Sequence, residues 1–181
     1  MATKTINTPI FRGSFVQVFK ARAMEGNDTE KFGIVAIFKP DADLSELMAE
    51  VKRAAVDKWG SVPEGCKNPF RDQSTKDYDG FGSEGKFLNL TSLQKPGIVD
   101  EALDVVTDDT KAYSGAYFRA SVRARAYEKG SKGVALDLCN LQFIEHGERL
   151  GGRTDPLDEF TAVEGAEKKP AEGDADLSAF V

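Results

Sequence analysis

From residue 117 to residue 127 apolar and polar positions alternate without a break. Phe118, Ala120, Val122, Ala124 and Ala126 fall on one side, and Tyr117, Arg119, Ser121, Arg123, Arg125 and Tyr127 on the other. Side chains of a strand point to opposite faces in turn, so this pattern predicts a strand with an apolar inner face and a cationic, aromatic outer one. A slip of one residue would bury three guanidinium groups, so the register is well specified.

Other segments alternate less cleanly. Residues 11–22, "FRGSFVQVFKAR", place Phe11, Phe15 and Phe19 on one expected face and Arg12, Ser14, Lys20 and Arg22 on the other, with Val16 and Val18 interrupting. The apolar run 32–38 reads as a buried strand and pairs with 11–22 in a hairpin. Residues 86–93 form a further strand. Residues 134–145 return from the turn "EKGSKG" as the partner of 117–127. The period changes in between: Leu44, Leu47, Met48, Val51, Ala55 and Trp59 follow helical spacing. Asp43 with Glu46 suggests a capping box, and Gly60 suits the stop. Residues 61–85 are loop-like.

Five or more strands, one main helix and long loops predict a mainly β fold, a five-stranded Greek-key barrel of OB type. An open α+β sheet with one helix packed on it is the alternative. The expected division is a barrel domain at 1–154 and a disordered acidic tail at 155–181, which is too poor in large apolar residues to build a core.

Charge sharpens this division. The 181 residues carry a formal charge of −6. The excess lies in 155–181, where eight carboxylates face two lysines, while residues 1–154 are balanced. No apolar run approaches the roughly 18 residues of a membrane span, and the N-terminus lacks a signal-like apolar stretch. The expected location is therefore the cytoplasm. There, Cys66 and Cys139 read as free thiols.

A strand face with arginines between aromatic rings suits single-stranded nucleic acid. Phosphates need cations, unstacked bases need flat surfaces, and guanidinium serves both. The candidate binding residues are Tyr117, Arg119, Arg123, Arg125 and Tyr127, with Lys129 and Lys132 in the following turn. Lys20 and Arg22 join them if residues 11–22 lie alongside. Residues 111–132 hold six basic side chains and one acidic. Full neutralisation by phosphate would give log K a slope of roughly −3.5 against log[salt]. In the loop before residue 86, Phe70, Tyr78, Phe81 and Phe87 alternate with Arg71, Lys76 and Lys86; Phe81 and Lys86 are the candidates that would close over a strand of DNA.

Other signals are discounted. "GFGSEGK" spells GxGxxG, but an acidic loop precedes it and a strand follows, the reverse of a dinucleotide site. His146 is the only histidine and has no evident nucleophile or metal partner. Asp77 with Asp79, and Asp108 with Asp109, sit in turn-like segments where aspartate is common for local hydrogen bonding. No cofactor, metal or catalytic residue is assigned.

"NPFRD", "YDGF", "KPGIVD", "YSGAYFRASVRARAY", "KGSKGVALDLCNLQ" and "GERLGGR", in this order, resemble a family of phage-encoded single-stranded DNA-binding proteins long catalogued as a domain of unknown function. The resemblance runs from about residue 8 to about 160 and implies an OB-type fold, non-sequence-specific binding of single-stranded DNA and no catalysis. It also implies a role in phage replication, recombination or repair in the bacterial host cytoplasm. Such proteins commonly end in an acidic tail with a terminal aromatic, and "DADLSAFV" is similar. In the tail itself, Asp174 and Asp176 precede the apolar Phe180 and Val181, an acidic spacer with a hydrophobic anchor, which makes Asp174, Asp176 and Phe180 the candidate residues for docking replication or recombination proteins. Two alternatives remain: a metal-dependent nuclease of the same phage module, and a protein-interaction module whose basic face takes an acidic partner.

Overall fold

The computed structural model describes residues 4–23, 28–150 and 161–165. In chain order the elements are β1 (Ile6–Asn7), β2 (Phe11–Ala23), β3 (Glu30–Ile37), α1 (Ser45–Trp59), β4 (Arg71–Asp72), β5 (Lys86–Ser92), β6 (Gly97–Val99), β7 (Tyr117–Tyr127) and β8 (Gly133–Glu145). Strands β2, β3, β5, β8 and β7 pair in that order, and β7 pairs back to β2, closing a five-stranded barrel. Every pairing around the ring is antiparallel except β5 with β8, which run parallel through a single pair, Thr91 with Asp137. This is the expected OB-type barrel with one helix. The short strands β1, β4 and β6 add to its edges.

The barrel interior is filled by Phe11, Phe118, Phe143, Leu88, Leu90, Leu136, Leu141, Val18 and Val122, all nearly inaccessible. Phe118 sits centrally, with ring centroids 6.2 Å from both Phe11 and Phe143. It also lies directly over the backbone of Gly13, where an added Cβ would come within 2.6 Å of the ring. Glycine at 13 is what lets the aromatic lie flat on β2.

The pairings of β2 with β3 and of β7 with β8 each carry two register shifts, and one in each decides which residues face the core. In β2 the pairing with β3 shifts between Ser14 and Gln17, and Phe15 takes a φ of 48°. A bulge adds one residue and reverses the inward parity beyond it. Phe11 and Gly13 therefore point in, Phe15 is thrown outside, and Val18 takes the interior. The single aromatic face expected at 11, 15 and 19 does not form. In β8 the pairing with β7 shifts between Asn140 and Leu138, so Val134, Leu136 and Leu138 point inward before the bulge and Leu141 and Phe143 after it.

Helix α1 lies against β7 and β8. Leu47, Ala54 and Ala55 are buried beneath it, while Met48 stays exposed at the margin of the expected stripe. Its start differs from a capping box. Leu44 is the N-cap, and Asp43 instead accepts bonds from the Ser45 amide (3.0 Å) and hydroxyl (2.6 Å). Gly60 ends the helix at φ 78°.

Candidate nucleic-acid interface

The alternation of β7 holds from Tyr117 to Arg125. Phe118, Ala120, Val122 and Ala124 are buried, and Arg119, Arg123 and Arg125 are exposed. Arg123 and Arg125 open onto a groove of about 870 Å³ that crosses the outside of the barrel over β8 and β5. Lys31 of β3 and Lys95 of the β5–β6 connection reach the same groove. Four cations thus share it with one carboxylate, Asp137. The Arg125 guanidinium donates to both Asp137 oxygens, at 2.8 and 3.1 Å. That hydrogen bonding raises the Arg125 pKa above its ordinary value, with burial opposing. Both partners are substantially exposed, so the pair contributes only about 0–1 kcal/mol to stability and leaves the guanidinium reachable. The β8 bulge brings Cys139 to the groove floor, where burial pushes its thiol pKa up despite the nearby Arg123 cation.

The outward residues of β3 and β5 continue this surface. Because Ile34, Ala36, Leu88 and Leu90 point inward, the cross-strand pairs Gly33–Thr91 and Val35–Asn89 face out. Beyond them runs a string of rings: Phe87 to Phe81 at 4.9 Å, Phe81 to Tyr78 at 5.5 Å, and Tyr78 to Phe15 at 5.2 Å. Phe15 is 48% exposed. Phe87 is 2% exposed and anchors the string to the barrel. Tyr78 and Phe81 hold their places because Gln73 staples their loop: its amide donates to the carbonyls of Phe38 (2.6 Å) and Lys86 (3.0 Å), and its side-chain oxygen accepts from the Gly82 amide (2.8 Å). Gly85 turns there at φ 100°, with no room for a Cβ beside Gln73 and the Phe38 carbonyl. Turn geometry of this kind accounts for Gly80, at φ 87°, and Gly85 in the GxGxxG spelling.

The other sequence candidates are spread more widely. Arg119 faces a separate hollow beside the start of α1, lined by Asp43 and Glu46. Tyr117 faces a third hollow with Arg12 and Glu145. It is six strand residues, about 20 Å, from Arg123. Tyr127 lies across Gly133, its hydroxyl where a Cβ would stand, and so covers the hairpin backbone. Lys132 sits 5.7 Å from the Trp59 ring centroid, and Lys129 is exposed in the same turn. Lys86 is ion-paired with Asp72. β2 meets β7 only at Phe11 and Arg12, so Lys20 and Arg22 do not lie alongside the arginine strand. Arg22 instead pairs in register with Lys31, and approaches the cationic groove from the β3 side. Lys95 and Phe19 also meet at this end, 5.8 Å from ammonium to ring. Asp174, Asp176, Phe180 and the boundary at 154/155 lie outside the described residues.

Lys31 and Lys95 carry no local signal in the sequence; only the barrel closure brings them to Arg123. Phe15 lies on the opposite side of β2 from the one its spacing with Phe11 predicts. Lys111, counted among the local cations, is engaged by Asp100 at 2.9 Å and Glu101 at 3.7 Å. The cations that converge are therefore fewer than the local sequence suggested. The arrangement offers phosphate-binding charge at one end, exposed rings at the other, and the outward pairs Gly33–Thr91 and Val35–Asn89 between.

A family profile described as Enterobacter phage Enc34, ssDNA-binding protein, matches residues 3–172. Protein p50 of Acyrthosiphon pisum secondary endosymbiont phage 1 is 28% identical over 172 residues, covering 87% of this chain and 93% of p50. Among solved structures, the single-stranded DNA-binding protein from bacteriophage Enc34 in complex with ssDNA gives a TM-score of 0.68 at 14% identity, over 81% of this chain and 89% of that one. The single-stranded DNA-binding protein gp2.5 of bacteriophage T7 gives 0.57 at 13% identity, over 93% and 100%. At these identities the structural likeness speaks for the barrel.

Proposed function

The chain belongs to the family of the Enterobacter phage Enc34 ssDNA-binding protein, and on that premise we propose that it coats single-stranded DNA without sequence specificity. Its work would lie in phage replication, recombination or repair within the cytoplasm of the bacterial host. It is a binding protein, not an enzyme. The observation that carries the reading is the continuity of the groove bearing Lys31, Lys95, Arg123 and Arg125 with the outer face of β3 and β5 and the ring string beyond. In OB barrels the second and third strands, here β3 and β5, and the loops beside them take oligonucleotides.

We assign phosphate neutralisation to Lys31, Lys95, Arg123 and Arg125, with Arg22 and Lys129 flanking. Base stacking is assigned to Phe15, Tyr78 and Phe81. Stacking is worth about 1–3 kcal/mol per base and accepts any base. Three net charges in the groove give an expected slope of about −2 in log K against log[salt]. The division into a barrel domain at 1–154 and an acidic tail at 155–181, with Asp174, Asp176 and Phe180 as docking residues for replication or recombination proteins, is part of the same proposal.

A nuclease is not favoured. Among the described residues no three of His, Cys, Asp and Glu come together as metal ligands, Asp77, Asp79, Asp108 and Asp109 included. The test is a mobility-shift titration with single- and double-stranded DNA at two salt concentrations. Retarded single strands, weakening with salt, are expected. A chain that ignores oligo(dT) at low salt overturns the reading.

A further inference from the structure

Two apolar features remain outside the DNA path. The first is a knob. After β6 the chain turns so that Leu103 is 70% exposed and Val105 76% exposed. Leu103 adopts φ 66°, an unfavourable conformation for a branched residue. The turn is held rigidly. Asp100 accepts the amides of Ala102 (2.9 Å) and Asp104 (3.0 Å) and the Lys111 ammonium (2.9 Å), and the Leu103 amide donates to the Asp100 carbonyl at 3.0 Å. Residues 100–109 carry five carboxylates and no basic side chain, and Lys111, which pairs with Asp100 and Glu101, offsets one of those charges, so the collar stays acidic. A fixed, strained display of two apolar side chains inside an acidic collar is what a preorganised interface needs.

The second is a groove of about 290 Å³ beside α1, lined by Met48, Val51, Val62, Cys66 and Phe70 and rimmed by Lys52 and Lys67. Met48 and Val62 are among the most exposed apolar side chains of the barrel. Lys52 and Lys67 make no ion pair among the described residues, and no carboxylate lines the groove.

We propose that the knob of one copy seats in the groove of the next, so that copies join head to tail along DNA. Shape and charge both select this pairing: knob on knob sets carboxylates against carboxylates, and groove on groove sets lysines against lysines. The two features lie towards opposite ends of β8. Val134 lines the groove, and Gln142 pairs with Val99 at the base of the knob, eight residues or about 26 Å apart. Two different patches form a heterologous contact, which propagates as an open chain wherever the rotation between copies does not close, as a shared DNA strand requires. The cationic groove lies between them, as Asn140 lines it and pairs with Gly97 of β6. The DNA tracks of successive copies therefore follow one another. Two apolar side chains hold copies together only weakly in free solution, but neighbours on one strand meet at an effective concentration in the millimolar range.

This proposal rests on the single-strand reading, and the test separates the two. Binding is measured on a dT oligonucleotide that holds one copy, about 4–16 nucleotides for such a barrel, and on long poly(dT). The full chain is compared with the knob variant Leu103→Asp/Val105→Glu, with Leu103→Gly, and with the groove variant Met48→Glu/Val62→Glu, each checked for wild-type circular dichroism. The unmodified chain is expected to bind the long lattice at least about tenfold tighter per site than the short one, roughly 1.4 kcal/mol. All three variants lose that excess and keep the short-oligonucleotide affinity. Mixed knob and groove variants recover pairs, but no longer arrays, in sedimentation on poly(dT). Variants that retain the excess, loss in the groove variant alone, or mixtures that fail to pair overturn the proposal. Failure of the unmodified chain on the short oligonucleotide removes the single-strand reading itself.

Discussion

Arg125 reaches diagonally across the β7–β8 ladder to take both oxygens of Asp137, although the residue directly opposite Asp137 is Arg123. Two neighbouring guanidinium groups on one strand are thereby made unequal. One is half neutralised in the free protein; the other has no ion-pair partner among the described residues.

Arg123→Ala is therefore expected to weaken binding to a dT oligonucleotide more than Arg125→Ala, and to flatten the salt slope by about 0.7 for each phosphate left without its cation. The double variant should bind several-fold more weakly than either. Asp137→Asn removes the competing carboxylate, so affinity should rise at low salt with a steeper slope. Fluorescence anisotropy at four or five salt concentrations reads all four proteins. An unchanged slope in the double variant would remove both arginines from the interface.

The ring string makes the opposite prediction. Tyr78→Ala and Phe15→Ala should each cost about 1–3 kcal/mol of oligonucleotide affinity while leaving the salt slope unaltered, because stacking releases no counterions. Phe87→Ala serves as the contrast. Its ring is buried, so it should instead lower folding stability by about 3–5 kcal/mol in urea titrations.

Gly13→Ala is expected to destabilise the barrel by about 1–3 kcal/mol, since the new methyl meets the Phe118 ring within 2.6 Å and the ring is hemmed in by Phe11 and Phe143. Equilibrium unfolding should show a lower midpoint with an unaltered m-value.

The Asp100–Lys111 pair gives the acid limb of stability a defined origin. The Lys111 hydrogen bond, then the Asp104 and Ala102 amides, hold the Asp100 pKa below its ordinary value. A depressed folded pKa stabilises wherever the group is ionised, above the unfolded value of about 3.9, and the contribution fades as pH falls through the folded value. Lys111 is raised by the same ion pair, so its share persists up to the unfolded lysine value of about 10.4 and is lost as pH rises through the folded one. The melting temperature of the unmodified chain should therefore drop more steeply below about pH 4 than that of Asp100→Asn. Parallel curves would show that the pair contributes nothing to folding.

How much of this was legible depended on local regularity. β7 could be read residue by residue because its alternation is unbroken, and α1 because its stripe and its terminal Gly60 agree. β2 and β8 were legible as strands, but not in their facing. "SFVQV" and "DLCNL" carry apolar residues at adjacent positions, so either parity is tolerable, and the bulges at Phe15 and Cys139 decide it only in the barrel. The proposed interface was half visible for a related reason. Arg123 and Arg125 announce themselves on one strand, whereas Lys31 and Lys95 join them only when β5 and β8 meet in parallel, a non-local pairing that no window of sequence contains.

That parallel meeting has a further effect. Thr91 and Asp137 are the one rung joining β5 to β8, and both also form part of the groove. Counted in paired residues, this seam is the sparsest of the cylinder, and it runs beneath the proposed ligand. An oligonucleotide laid over it would act as a suture, tying Lys31 and Lys95 on one lip to Arg123 and Arg125 on the other. Deuterium uptake by the amides of β5 and the middle of β8 should slow on binding by more than that of the β2–β3 hairpin, because ligation suppresses the breathing that parts those two strands.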